Sequence, residues 1–108
     1  MNSNNWKLRL KYGKDKTPFH HYTVLIDGST TADTTIDCPI GNAWLGIKIW
    51  ALDYDMAADI ACYIAKDIGF NIKDSSHAVQ IFETQPEQPP RDKPYGYDIN
   101  FTPYMDEQ

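Results

Sequence analysis

From Trp6 to Tyr12, hydrophobic and polar residues alternate without a break. In an extended chain Trp6, Leu8, Leu10 and Tyr12 face one way and Lys7, Arg9 and Lys11 the other, which predicts a strand. Gly13 to Pro18 reads as a turn or short loop. Phe19 to Asp27, rich in aromatic and β-branched residues and closed by Asp27-Gly28, predicts a second strand. An antiparallel hairpin of these two strands is the expected pairing. Ser29 to Asp33 is polar, Thr34 to Cys38 reads as a short strand stopped by Pro39, and Gly41-Asn42 makes a further break. The run from Trp44 to Leu52 is apolar on both faces, as in a central strand covered on two sides or met by a partner on one.

The period then lengthens. Met56, Ala57, Ile60, Ala61, Ile64 and Ile68 recur at helical spacing, so the main helix is expected over about 54–68. Asp53 or Asp55 can cap its start, and Gly69 suits a left-handed residue at its end. Phe70 and Ile72 restart an extended chain, Asp74 to Ser76 turns, and His77 to Glu83 reads as a strand. Residues 84–96 hold four prolines, which cannot sit in a sheet ladder, and predict an extended loop of polyproline character. Tyr97 to Thr102 alternates again before Pro103, and 105–108 are expected to fray. Together these elements give a single α+β domain over 1–108: a two-layer fold with a mainly antiparallel sheet of five to six strands and one main helix on a face.

Composition bounds this reading. A chain of 108 residues, 42% apolar and 13% aromatic, is one domain able to bury a core without a disulfide or a metal, and it is not intrinsically disordered. The longest apolar stretch, Ala43 to Leu52, is broken by Lys48 and falls short of the ~20 residues of a membrane span. The opening residues lack the apolar core of a secretory signal, so a cytoplasmic location is expected, with Cys38 and Cys62 reduced. Neither cysteine has Cys-x-x-Cys spacing, and both read as structural thiols.

Charge divides the chain. Residues 1–21 carry five basic groups against the single acid Asp15, and the remainder carries fourteen acids against five basic groups, so a basic edge is expected on an acidic body. The stripe Lys7, Arg9, Lys11 raises nucleic-acid binding. Three phosphate contacts would give a salt slope of only about −2.7, a loss of roughly 40-fold between 50 and 200 mM salt. The acidic remainder repels phosphate, which disfavours this partner.

Asp53-Tyr-Asp55 after the apolar run Ile47 to Leu52 resembles the first motif of the haloacid-dehalogenase-like phosphatases. That resemblance implies a nucleophilic Asp53, an acid/base Asp55 and a magnesium site. The chain departs from the motif at Met56 and Ala57, and has too few alternating helices and strands for a doubly wound sheet. Read as a calcium loop from Asp53, the chain puts Ala57, Ala58 and Ile64 where an EF-hand needs an oxygen ligand, Gly and Glu. His20 and His21 are neighbours, so in a strand they point to opposite faces and cannot easily share a metal. One is expected on the strand surface and the other half-buried and hydrogen-bonded. His77 has no helpful partner in its vicinity along the chain.

No catalytic residues, metal ligands or cofactor motif are assigned. The proline-rich loop with Tyr95 and Tyr97 is the best recognition element, because prolines limit the entropy lost on ordering and tyrosines are frequent in binding hot spots. The expected function is that of a small acidic protein that binds another protein, a basic one by charge complementarity, through Pro89, Pro90, Arg91, Tyr95, Tyr97 and Trp50. Small acidic inhibitors, including immunity proteins, share this size and charge. Two alternatives are a small metal-dependent hydrolase using Asp53 and Asp55, and a self-associating structural protein pairing as a homodimer through Trp44 to Leu52.

Overall fold

A computed structural model describes residues 5–13, 16–32, 34 and 39–103. Its centre is a long antiparallel pair, β1 (His20–Thr30) with β2 (Gly41–Ala51), in register from His20 opposite Ala51 to Thr30 opposite Gly41. After β2 come the helix α2 (Tyr54–Asp67), the two-residue strand β3 (Asn71–Ile72), β4 (Val79–Glu83) and β5 (Tyr95–Pro103). β3 and β4 both pair with the outer side of β1, and β5 pairs with β2, giving a five-stranded, wholly antiparallel sheet. α2 packs on one face of it: a small α+β domain.

The core follows from the two-residue period. Tyr22, Val24 and Ile26 of β1 stand opposite Ile49, Ile47 and Leu45 of β2, and all six are buried beneath the helix. α2 meets them with Ala57, Ala61 and Ala65, all fully buried, flanked by Met56, Ile60, Ile64 and Ile68. The helix begins where Asp53 accepts a hydrogen bond from the Met56 amide (2.8 Å). It ends in a Schellman turn: Phe70 N–H reaches the Ala65 carbonyl, Gly69 N–H reaches that of Lys66, and Gly69 has φ +84°. Helix, cap residue and terminating glycine therefore lie where the pattern puts them.

Four expectations are corrected. The segment read as the first strand is a helix, α1 (Asn5–Lys11), so its hairpin with the next strand does not form; β1 pairs with β2 instead. Residues 6, 8, 10 and 12 also contain two i,i+4 pairs, and Leu, Lys and Arg favour helix while no β-branched residue is present. Only Trp6 and Leu10 turn partly inward; Leu8 and Tyr12 are exposed. Next, Asp27-Gly28 does not end β1, and Gly41-Asn42 is no break but the start of β2, paired with Thr30 and Ser29. A Cβ at Gly28 would land on the Asn71 carbonyl oxygen and the Phe70 ring, so glycine there admits β3 beside the strand. Finally, β5 starts at Tyr95, which shortens the proline loop to 84–94. The strand expected at Thr34 to Cys38 falls outside the described residues except for Thr34, which is not in a strand, and the tail 105–108 lies outside them altogether.

β5 carries one irregularity. Its register against β2 shifts between Gly46 and Lys48, opposite Asp98, whose φ of +55° is left-handed. On one side of this bulge Tyr95 and Tyr97 face away from α2; on the other, Ile99 and Phe101 join the core beneath the helix.

Candidate functional site

The sheet face opposite α2 carries the second hydrophobic cluster. His21, Trp50, Lys48, Tyr97 and Tyr95 come to this face through the register pairs His21–Trp50, Lys48–Tyr97 and Trp50–Tyr95. Phe19, Trp50 and Tyr97 are buried together, with Leu10 of α1 and Tyr95 packed against them. The 84–94 segment runs along this cluster, because prolines at 86, 89, 90 and 94 keep it out of the ladder.

Side chains from the sheet bond the segment's backbone at successive residues. His21 Nδ1 lies 3.1 Å from both the carbonyl and the hydroxyl of Thr84. The Tyr97 hydroxyl oxygen accepts from the Glu87 amide (2.9 Å) and the Gln88 amide (3.2 Å). Trp50 donates its indole N–H to the Gln88 carbonyl (2.9 Å), and the Tyr95 hydroxyl donates to the Pro89 carbonyl (2.5 Å). The Arg91 guanidinium lies 4.0 Å from the centre of the Tyr95 ring, a cation–π stack. Lys48 bridges Glu87 (2.8 Å) and Asp98 (2.7 Å), and these two hydrogen bonds, Asp98 first, push its ammonium pKa up.

Two further groups on this face have displaced proton affinities. Burial pushes the His21 pKa down, opposed by the bond to the Thr84 backbone; Lys48 lowers it further and Glu87 raises it. The Tyr95 phenol is pushed up by burial, with the Arg91 charge opposing. On α2 the Cys62 thiol is pushed up by burial, and it is a free thiol. Cys38 lies outside the described residues.

The residues singled out for recognition divide into two sets. Trp50 is 4% exposed and Tyr97 9%, so both hold the segment from beneath and cannot offer a surface. Pro89 and Arg91 are exposed, and Pro90 and Tyr95 are half-buried at the edge. His20 is exposed and His21 buried, the division expected of strand neighbours, although His21 at 4% exposure lies deeper than half-burial. Two contributors were missed from sequence: Thr84 and Lys48. Lys48 alone carried a signal, as the one charge inside an apolar strand.

The outer segment also walls a cleft of about 510 Å³ against α1, with Trp6, Leu10 and Phe19 on one side and Pro89, Pro90 and Arg91 on the other. A second, wider cleft of about 1030 Å³ opens on the other side of α1 over His20, His21 and Thr84.

Comparison with known protein families, curated proteins and solved structures finds no match to this chain. The Asp53-Tyr-Asp55 motif serves as a helix start: Asp53 caps α2, and Asp55 is exposed in its first turn. Among the described residues no three His, Cys, Asp or Glu side chains are placed to hold a metal ion, and no helix is long and apolar enough to cross a membrane.

Proposed function

We propose that this protein is a non-catalytic binding module that engages another protein through Pro89, Pro90, Arg91 and Tyr95, with Trp50 and Tyr97 as the support beneath them. One observation carries the reading. Polar side chains of the sheet, several of them buried, are used to immobilise the backbone of a segment whose outer surface is exposed. A segment already held in one conformation loses little entropy on binding. Arg stacked on Tyr beside a cleft that Trp6 and Phe19 help to line is a combination typical of binding hot spots. The net charge of −5 favours a basic partner, through faster encounter at low ionic strength.

The test is affinity capture from the source cell with the tagged full chain at low and at physiological salt. Captured proteins are then compared between the wild type, Arg91→Glu and a distal control, Asp74→Ala. A genuine partner is retained by the control and lost with Arg91→Glu, and titration of the purified pair should show a large drop in affinity. Recovery of nothing at either salt would sink the binding reading, and capture indifferent to Arg91 would sink this surface.

A further inference from the structure

The hydrogen-bond inventory around Tyr97 admits one protonation state of its neighbour. A phenol oxygen can accept two hydrogen bonds, and both positions are taken by the Glu87 and Gln88 amides, which are donors only. The phenol proton must therefore go to the remaining close partner, His21 Nε2, at 2.7 Å. That nitrogen then presents a lone pair, and the ring proton sits on Nδ1, facing the Thr84 carbonyl at 3.1 Å. The neutral Nδ1–H tautomer satisfies every group; no other form of the ring does.

Adding a proton at Nε2 brings two amide hydrogens, the phenol hydrogen and an imidazolium hydrogen onto one oxygen. At least one amide must leave, and the phenol hydrogen loses its acceptor on the ring. We infer that His21 is a proton-operated latch for the 84–94 segment, closed when the imidazole is neutral and opened when it is protonated. Opening frees the Glu87–Gln88 backbone, and with it the Trp50 bond to the Gln88 carbonyl, so the exposed Pro89–Arg91 stretch loses its support.

The charges around the ring are mixed. Lys48 from β2 opposes protonation and Glu87 from the segment favours it. Asp98 of β5 is held by Lys48. Across the wider cleft stand Lys7 and Lys11 of α1, Glu83 of β4 and the exposed His20. Burial outweighs them and keeps the ring neutral below the ordinary imidazole range. The latch should therefore stay closed at neutral pH and open in mild acid.

Amide hydrogen exchange and two-dimensional NMR on the full chain, from pH 7.5 to 4.5, test this. At pH 7.5 the His21 ring nitrogens should show the Nδ1–H tautomer. On acidification, protection of the Glu87 and Gln88 amides, corrected for intrinsic exchange, should fall about tenfold per pH unit until His21 is fully protonated. The Trp50 indole N–H should move with the same midpoint while the Ala61 and Ala65 amides stay protected. His21→Gln keeps an acceptor for the phenol without a titrating ring, and should hold the segment closed at every pH. Should that variant not fold, Tyr97→Phe should leave both amides fast-exchanging already at pH 7.5. Glu87→Gln should retain the transition, which separates the imidazole from the nearby carboxylate. An Nε2–H tautomer, or Glu87 and Gln88 protection that ignores the His21 titration, would overturn the latch.

Discussion

Asp98 shows how one residue can carry a local cost for a wider arrangement. Its left-handed backbone is uncommon outside glycine, asparagine and aspartate, and its carboxylate bonds Lys48 at 2.7 Å. Asp98→Ala should cost about 1–2 kcal/mol, since a Cβ without the polar group keeps the strain and loses the bond. Asp98→Gly loses the same bond but relieves the backbone, and should be clearly the milder change in urea unfolding. His21 gives a second prediction, on global stability. Its native pKa lies below the ordinary 6.5, so the native state binds fewer protons than the unfolded one near that pH. The stabilisation is full above pH 6.5 and is lost as pH falls through the native value. Unfolding curves between pH 7.5 and 5 should show this decline, and His21→Gln should remove its imidazole component. Strand geometry alone predicted that His20 and His21 would part to opposite faces. Nothing nearby in sequence announced that His21 would meet Thr84 and Tyr97, which are 63 and 76 residues away. Long-range partners of this kind are set by register, and register depends on pairings that local patterns do not contain.

Among elements, α2 was the most legible because independent signals agreed: an amphipathic stripe, a capping aspartate at 53 or 55, of which Asp53 takes the role, and a terminating Gly69. Asp53→Ala and Gly69→Ala should each cost about 1 kcal/mol in chemical unfolding. Fast amide exchange at Met56 should be confined to the Asp53 variant. The stripe as read omits Ala65, which is fully buried beside Ala57 and Ala61. This seam of small residues sets how near the helix lies to the sheet, so Ala61→Leu should overpack it by about 1–3 kcal/mol, read as a lowered urea midpoint. α1 was misread for an equally physical reason. Alternating apolar residues serve a strand of period two or, through their i,i+4 pairs, a short helix, and at seven residues neither pattern can outvote the other. What decides is tertiary: the helix offers Trp6 and Leu10 to the clefts beside Phe19, and β1 finds its partner in β2. As a helix, α1 also breaks up the basic stripe, because Lys7 and Lys11 share a side and Arg9 does not.

At the scale of the molecule, the two hydrophobic clusters are unequal. The one beneath α2 takes in most of the buried residues; the one beneath the proline segment has Phe19, Trp50 and Tyr97 at its centre. Hydrogen exchange should separate them, with α1 and the 84–94 segment opening at lower free energy than α2 and the β1–β2 pair. The α+β class was readable because sheet and helix patterns stand in separate stretches of sequence. The strand order was not, because it depends on which neighbours close the ladder. The same unequal construction lets a surface segment change its support without the main core unfolding.

The bulge in β5 bears on how that division is encoded. Tyr95, Tyr97, Ile99 and Phe101 follow one another at every second position, and in an unbroken strand all four would face one layer. The extra residue at Asp98 moves the last two across, so a single strand seats two aromatics under the proline segment and two apolar residues under the helix. It works as a change of reading frame within the fold. With Asp98 kept, straightening the strand would turn either the tyrosines or the Ile99–Phe101 pair to the wrong side; with Asp98 deleted, Ile99 would fall opposite Ile47 in an unbroken ladder and both layers would keep their strand.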